Sequence, residues 1–377
     1  MALVKDSGFI KLKHDFNENR KIILFTGAGI NMTSYPAGLN LSWNSLLNML
    51  LDDTIRWIAI EKGISPKACK LLERTLKNDV IKVDNDLSND DWSRICSYAN
   101  NEFSSIVKAE IMKNVLNDNY IWSIQRFLYG QCNKILLKRL FYDYYSIGSK
   151  NEENIKPFHS LYQVAKAILL CPLIKAVVTY NYDNFLTIAI RILLNDKENF
   201  FADNDLKKVG RRNINVVDVA GEMYNGVQDD NTFYIYHVHG YVQSPSEVAQ
   251  QGYNKIVLSL NEYFDNFKNV YSWQTTTQQH YLTHYTCVFA GISMTDMAMQ
   301  RMISYAKSSG GDNSIYVLCG KNGGCEDATC NEAFSALNDI KRDFLQRLGV
   351  IPVFDESGFE HLYAEFGKMI SELSLSD

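Results

Sequence analysis

The hydrophobic pattern divides the sequence into a helical section and a section where short strands alternate with helices. Ile22 to Phe25 are four consecutive apolar residues, which predicts a buried strand. After them, apolar residues recur at helical spacing in LSWNSLLNMLLDDTIRWIAIEKG and over Pro66 to Lys77, Asp91 to Leu116 and Tyr120 to Tyr145. The sequence therefore predicts one long helical section after the first strand.

Six short apolar runs later in the chain predict further strands. They are AVVTYN at 176–181, FYIYHVHG at 233–240, KIVLSL at 255–260, CVFAGIS at 287–293, SIYVLC at 314–319 and VIPVF at 350–354. Helical segments such as FHSLYQVAKAILL and MTDMAMQRMISYAK separate several of them, and this alternation is typical of a parallel sheet covered on both faces. We expect a single α/β domain over residues 1–377, with a Rossmann-like, mostly parallel sheet, helices on both faces and a helical insertion at about 43–150.

Composition and charge narrow the functional classes. The chain has 377 residues, of which 46% are hydrophobic, so it can bury a substantial core. Acidic residues outnumber basic ones by 43 to 38, so no general attraction to nucleic acid or to an anionic membrane is expected. No apolar run approaches the roughly 18 residues that span a bilayer, and the N-terminus lacks a signal peptide, which favours the cytoplasm. The eight cysteines are scattered through a chain without a signal peptide, so we expect reduced thiols, and they include no Cys-x-x-Cys pair, so we expect no metal.

The first strand runs directly into the glycine-containing turn TGAGIN, residues 26 to 31. In a parallel sheet, ligands bind beyond the carboxyl ends of the strands, and small residues there let a phosphate approach the backbone. A P-loop would need Gly-Lys-Ser/Thr, and a dehydrogenase fingerprint would need a third glycine where Met32 stands. The alternative is a tight strand-to-helix turn with no ligand.

Two later strand ends carry polar residues. In VVTYNYDNF, Asn181 and Asp183 stand where a strand gives way to a helix, so either one caps that helix or the two contact a ribose, a water or a hydroxyl group. In YIYHVHG, His237 and His239 are two residues apart, which on a strand places both side chains on one face. Three interpretations remain open for them: one general base or hydroxyl partner, a metal-binding pair, or two hydrogen-bonded core residues.

The segment FAGISMTD ends another predicted strand. A serine-hydrolase elbow would read Gly-x-Ser-x-Gly, but Thr295 occupies the last glycine position. Ser293 and Asp296 either cap the following helix or, together with Gly291, line one end of a dinucleotide site.

Taken in order, TGAGIN, TYNYDNF, HVHGY, KIVLSLNEY and FAGISMTD resemble the SIR2-like domain of bacterial anti-phage defence NADases, over about Lys21 to Val353. TYNYDNF and HVHGY are similar to the Thr-Gln-Asn-Ile-Asp and His-Gly motifs of sirtuin deacylases. Three departures stand out: the chain lacks the two Cys-x-x-Cys pairs of those deacylases, it lacks their Gly-Ile-Pro-Asp-Phe-Arg segment, and Asn31 replaces the serine of the defence family.

The resemblance implies that NAD is the substrate and that its nicotinamide–ribose bond is cleaved to give nicotinamide and ADP-ribose. By this resemblance, Asn181 and His239 are the catalytic pair. The residues implied to bind NAD are Thr26, Gly27, Ala28, Gly29, Asn31, Asp183, Gly291, Ser293 and Asp296.

Two other functions remain open, an NAD-dependent protein deacylase and a non-catalytic NAD or ADP-ribose sensor that controls a partner. The resemblance also implies regulation in trans, through a homo-oligomer or a separate partner protein encoded nearby, and a role in abortive infection. No metal, nucleic acid or membrane is expected to bind.

Overall fold

The computed structural model describes most of the chain. The described residues are 6–18, 20–31, 41–77, 89–102, 104–131, 137–138, 160–201, 203–211, 214–220, 232–245, 255–310, 313–320, 328–355 and 359–373.

A seven-stranded sheet forms the centre of the fold, and all of its strands run parallel. The strands are β1 (Ile22–Thr26), β2 (Ile174–Thr179), β3 (Asn215–Val219), β4 (Thr232–His237), β5 (Thr286–Ala290), β6 (Ile315–Gly320) and β7 (Ile351–Asp355). Their order across the sheet is β3-β4-β2-β1-β5-β6-β7. Strands β2, β3 and β4 lie on one side of β1, and β5, β6 and β7 lie on its other side. The strand order therefore reverses between β1 and β5, which makes this boundary a topological switch point.

Fifteen α-helices fall within the described residues. They are α1 (Ser7–Asn17), α2 (Trp43–Lys62), α3 (Pro66–Lys77), α4 (Asn89–Glu102), α5 (Ser105–Leu116), α6 (Asn119–Gln131), α7 (Ser160–Leu170), α8 (Phe185–Asn195), α9 (Lys197–Phe200), α10 (Asp203–Arg211), α11 (Leu260–Lys268), α12 (Trp273–His284), α13 (Met297–Ser308), α14 (Ala328–Arg347) and α15 (Phe359–Leu373). A short 3-10 helix, Ala28–Asn31, follows β1.

Helices cover both faces of the sheet because its strands are apolar on both sides. On one face, Phe25 stacks on Phe289 of the neighbouring strand, and this layer packs against buried residues of α12, α13 and α14 such as Leu282, Ile303 and Leu345. On the other face, α15 contacts α7, β6 and β7, and α8 contacts α7 and β3. The predicted α/β, Rossmann-like sheet with helices on both faces is confirmed.

The chain forms two compact units. The first unit contains Met1–Asn40, Cys132–Tyr241 and Val270–Asp377, and therefore the whole sheet. The second unit contains Leu41–Gln131 and Val242–Asn269 and is helical in its described part. The expectation of one domain with an insertion at about 43–150 stays a prediction, and 139–150 lie outside the described residues.

The second unit has a core and polar contacts of its own. Helix α2 packs against α3, α5 and α6 through buried residues such as Leu50. Asp53 of α2 accepts hydrogen bonds from Ser123 and Arg126 of α6. Asn261 of α11 donates its side-chain amide to Glu110 of α5 at 2.8 Å. These contacts tie the sequence-distant α11 to the other helices of this unit.

Most predicted elements lie within a few residues of their expected ends, with two exceptions among the strands. KIVLSL is not a strand: Ser259 and Glu262 form a capping box there and begin α11 at Leu260. Strand β3 was missed because Asn215 to Val219 are only five residues long and two of them are polar, which leaves no continuous apolar run.

Two further findings concern membrane spans and thiols. None of the described helices is long and apolar enough to cross a membrane. Cys69, Cys96, Cys171, Cys287 and Cys319 are free thiols, but Cys330 is disulfide-bonded, so the expectation of reduced cysteines is wrong at that position. The expectation rested on the compartment and carried no information about which cysteines are close in space.

Candidate functional site

The candidate site lies in the first unit, beyond the carboxyl ends of four adjacent strands. The strands end in register: Thr26 pairs with both Thr179 and Ala290, and Thr179 pairs with His237. The residues that follow each strand therefore leave the sheet at the same edge. The predicted site residues all stand at or just after these four ends, in β5-β1-β2-β4 order across the sheet.

The glycines after β1 have a packing reason that the sequence did not show. A β-carbon on Gly27 would lie 2.7 Å from the Gly291 carbonyl oxygen, and one on Gly29 would lie 2.7 Å from the Gly291 α-carbon. Gly291 itself has φ +69, and a β-carbon there would lie 2.4 Å from the Ile30 nitrogen. Only glycine at these three positions allows the two turns to meet at the switch point.

This contact also occupies two backbone donors. The N–H of Gly27 donates to the Ala290 carbonyl, and the N–H of Gly29 donates to the Gly291 carbonyl. A phosphate at this turn must therefore be contacted by groups other than these two N–H donors, such as the backbone N–H of Ala28. The Thr26 hydroxyl and the Asn31 side-chain oxygen are buried and have no hydrogen-bond partner within the described part of the chain. Phosphate binding at this turn stays a prediction.

Asn31 and Asp183 form a buried pair between the turns after β1 and β2. The side-chain amide of Asn31 donates to Asp183 Oδ2 at 2.8 Å, and the Phe185 N–H donates to Asp183 Oδ1 at 3.0 Å. Burial raises the pKa of Asp183 to about 6, although these donors and nearby His237 act to lower it. Asp183 thus accepts the N–H of the first residue of α8, one position before the N-cap Asn184, and it also fixes Asn31.

Asn181 is held by its backbone. Its N–H donates to the Thr179 hydroxyl at 3.1 Å, and its carbonyl accepts a hydrogen bond from His237 Nδ1 at 3.2 Å. Its side-chain amide makes no hydrogen bond with any described residue, so it does not cap α8. The main chain of Asn181 is fixed, and its amide keeps its hydrogen-bonding capacity for a ligand.

His237 is a buried structural residue with a 1% exposed surface. Its Nδ1 contacts the Asn181 carbonyl, and its Nε2 lies 2.9 Å from Asp218 Oδ1, which also accepts from the Thr187 hydroxyl. Both ring nitrogens therefore face oxygen atoms of the protein. With both nitrogens engaged, His237 does not fit the interpretation of a metal-binding histidine pair.

His239 lies in a different environment, because β4 ends at His237 and the chain turns through Gly240, where φ is +86. The expectation that both histidines share one strand face is therefore wrong. The His239 ring meets the Tyr180 ring edge-on at 4.8 Å, and the Tyr180 hydroxyl donates to Gln278 Oε1 at 2.7 Å. Burial lowers the pKa of His239 to about 4, and the negative charge of Asp296 acts in the opposite direction. His239 is thus neutral at pH 7 and can accept a proton.

Asp296 and Ser293 follow β5. Asp296 is the N-cap of α13 and accepts hydrogen bonds from the N–H groups of Ala298 and Met299 at 2.7 and 3.2 Å. Ser293 is exposed and its hydroxyl lies 2.8 Å from that of Thr295. The structure therefore gives Asp296 the capping role that the sequence left open, and a contact of either residue with a ligand stays a prediction.

Sequence reasoning missed three residues that support the site. Asp218 and Thr187 complete the network of His237, and Gln278 holds the hydroxyl of Tyr180. Asp218 lies in the missed strand β3, and Gln278 lies on a helix whose pattern carries no functional motif. The one available signal was Asp218 within the short segment NVVDV.

Residues 175–338 match the family model of the SIR2-like domain. The matched range extends from β2 into α14 and contains Asn181, Asp183, His239, Ser293 and Asp296, but not the turn after β1. No curated protein sequence matches the chain.

Proposed function

Since this chain carries a SIR2-like domain, we propose that it is an NAD+ hydrolase that cleaves the nicotinamide–ribose bond and releases nicotinamide and ADP-ribose. The observation that carries the proposal is the placement of Asn181 and His239. They follow the adjacent, in-register ends of β2 and β4, beside the glycine turn after β1. This is the edge at which ligands bind in parallel α/β sheets.

The side chains suit the proposed chemistry. Nicotinamide leaves as a neutral group from a cationic precursor, so the transition state resembles an oxocarbenium ion and needs an oriented ribose and a placed water more than a strong acid. The amide of Asn181 would orient the ribose or the water. His239, which is neutral at pH 7, would accept the proton that water loses as it adds to the ribose carbon.

The turn after β1 also suits a polar ligand. Thr26 and Asn31 are 0% and 2% exposed, and each has a side-chain oxygen without a hydrogen-bond partner among the described residues. Buried polar atoms normally have partners. The hydroxyls and phosphates of NAD would supply hydrogen-bond partners here, together with Gly291, Ser293 and Asp296 on the β5 side.

The biological role we propose is NAD depletion in the cytoplasm during anti-phage abortive infection. It follows from the resemblance of the five motifs to defence NADases. Such an activity must be silent until it is needed, so we propose control by self-assembly or by a partner protein encoded nearby.

The test is nicotinamide release from NAD by the purified chain, alone and with the products of neighbouring genes. Asn181→Ala and His239→Ala should each lower release by at least about 100-fold, as expected for a lost positioning or acid–base group. Asn195→Ala, an exposed change at the end of α8, is the matched control and should keep full activity.

Other outcomes favour the other functions. NAD binding without turnover under every condition would identify a sensor. Nicotinamide release that requires an acylated lysine peptide would identify a deacylase. A wild-type protein that neither binds nor cleaves NAD with any of these additions contradicts the proposal.

A further inference from the structure

A basic cavity lies at the opposite edge of the sheet from the candidate site. It has a volume of about 510 Å³ and opens beside Thr286, the first residue of β5, and Lys21, which precedes β1. The amino ends of these strands are one strand length away from their carboxyl ends, after which Gly27 and Gly291 stand. The cavity therefore belongs to no part of the proposed reaction.

The lining of the cavity is basic, and its described residues include no carboxylate. Besides Lys21 and Thr286, they are Arg20, His280, His284, Tyr285 and Asn313. This local excess of positive charge contrasts with the net charge of −5 for the chain. Lys21 is exposed and forms no ion pair with any described residue, whereas Arg20 is paired with Glu18 at 3.3 Å. Lys21 is thus the main uncompensated charge of the cavity.

The two histidines add imidazole nitrogens that can form hydrogen bonds. Nδ1 of His284 lies 2.9 Å from the His280 carbonyl, which can only accept, so Nδ1 carries a hydrogen and Nε2 remains for a ligand. The two imidazole rings are 5.0 Å apart. Burial and the neighbouring His284 lower the pKa of His280. An anion placed beside the His280 ring would favour its protonated form.

An aromatic ring forms another wall of the cavity. Tyr285 packs edge-on against His280 with ring centroids 5.7 Å apart, which leaves an apolar surface next to the basic groups. Sites for small organic molecules commonly have volumes of about 300 to 1,000 Å³, an apolar wall and a few convergent polar groups. The cavity has these features, with positive charge as its polar component.

We propose that this cavity binds the phosphate group of a small phosphate monoester. Lys21 would supply the charge, and Arg20 and His280 would donate hydrogen bonds to the phosphate oxygens beside the ring of His284. The organic part of the ligand would lie against Tyr285. The site is separate from the proposed NAD site, so its occupant is a second ligand of the protein.

The test is a titration of the whole chain at pH 7 with inorganic phosphate, followed by NMR through the ring-proton signals of His280 and His284. These signals are assigned from His280→Gln and His284→Gln variants. Chloride at equal ionic strength is the reference for nonspecific salt effects. This readout reports on the cavity alone, so it is independent of NAD cleavage and of phosphate bound elsewhere.

We expect saturable shifts of both signals with phosphate but not with chloride. Lys21→Gln should raise the dissociation constant by about fivefold or more, because it removes the charge partner of the phosphate. Lys11→Gln, which removes an exposed lysine of α1 that does not line the cavity, should leave the constant unchanged. AMP should bind at least as tightly as phosphate.

Three results would overturn the proposal. The first is the absence of saturable shifts with phosphate. The second is equal phosphate affinity in the Lys21→Gln and Lys11→Gln proteins. The third is binding of adenosine as tight as that of AMP, which would show that the aromatic wall and not the phosphate is recognised.

Discussion

His237 and His239 show how far the role of a residue depends on its surroundings. His237 is enclosed by the Asn181 carbonyl and by Asp218, so its hydrogen-bonding capacity is fully used inside the protein. His239 contacts the edge of Tyr180, and burial keeps it neutral at pH 7. One histidine holds the end of β2 in place, and the other is neutral at pH 7 at the carboxyl edge of the sheet.

We predict opposite effects of truncating these two histidines. His239→Ala should lower NAD cleavage by at least about 100-fold with little change in the melting temperature. His237→Ala should destabilise the protein by about 3 kcal/mol, because it removes a buried ring and leaves the Asn181 carbonyl and the partly buried Asp218 without its hydrogen bonds. Below its own melting temperature, the His237→Ala protein should keep measurable activity. Thermal unfolding and turnover on the same preparations decide this, and equal loss of activity in two stably folded variants would contradict it.

The contact between Tyr180 and His239 leads to a prediction about the pKa of His239. Its ring packs on His239, and its hydroxyl is held by Gln278. Tyr180→Phe keeps the ring and loses the hydroxyl, whereas Tyr180→Ala removes the contact and lets water reach the imidazole. We expect the pKa of His239, followed by NMR, to rise towards its ordinary value of 6.5 in Tyr180→Ala. It should change much less in Tyr180→Phe, and equal pKa values in the two variants would argue against this role of the ring.

At the scale of elements, the site depends on the meeting of two turns at the switch point. The turn after β1 and the turn after β5 approach so closely that β-carbons at Gly27, Gly29 or Gly291 would overlap with backbone atoms. The glycines that the sequence suggested as a phosphate cradle are thus required by packing, whatever they bind. A glycine motif that is typical of a ligand-binding turn can therefore also be required by the packing of that turn.

A pair of glycine substitutions tests this packing. Gly29→Ala places a methyl group 2.7 Å from the Gly291 α-carbon and should cost about 1–3 kcal/mol of stability, as overpacked cores do. Gly130→Ala, in helix α6, meets no atom within 4 Å and should be neutral or stabilising by up to about 1 kcal/mol. Urea unfolding of both variants gives the comparison. Equal stability of the two would mean that the turns can separate without cost.

The sequence predicted the elements well where the hydrophobic pattern was strong. Strand β1 and five of the six later strands are continuous apolar runs, so burial on both faces determines them. KIVLSL is equally apolar, but the capping box of Ser259 and Glu262 directs the chain into α11. The site was predicted from strand-end residues, whereas Asp218, Thr187 and Gln278 were not, because their role arises only from contacts across the fold.

At the scale of the whole molecule, one buried carboxyl group can make stability depend on pH. Asp183 is 6% exposed, and burial raises its pKa from its ordinary value of 3.8 to about 6. Between these two values the folded protein binds a proton that the unfolded chain does not. The contribution of Asp183 to stability therefore rises as pH falls from about 6 to about 4 and is lost again as pH rises through 6, whereas the lowered pKa of His239 contributes with the opposite sign.

We predict that Asp183→Asn removes this contribution. The difference of about two pKa units corresponds to about 3 kcal/mol between pH 7 and pH 4. The variant keeps an oxygen that can accept from the Phe185 N–H, and the Asn31 amide can turn its unpartnered oxygen towards the new amide. Asp183→Asn should thus be more stable than the wild type at pH 7 and lose this advantage at pH 4.

Asp265→Asn, an exposed change in α11, should follow the wild type at both pH values. Urea unfolding of the three proteins measures this, and parallel behaviour of all three would show that Asp183 does not carry the pH dependence.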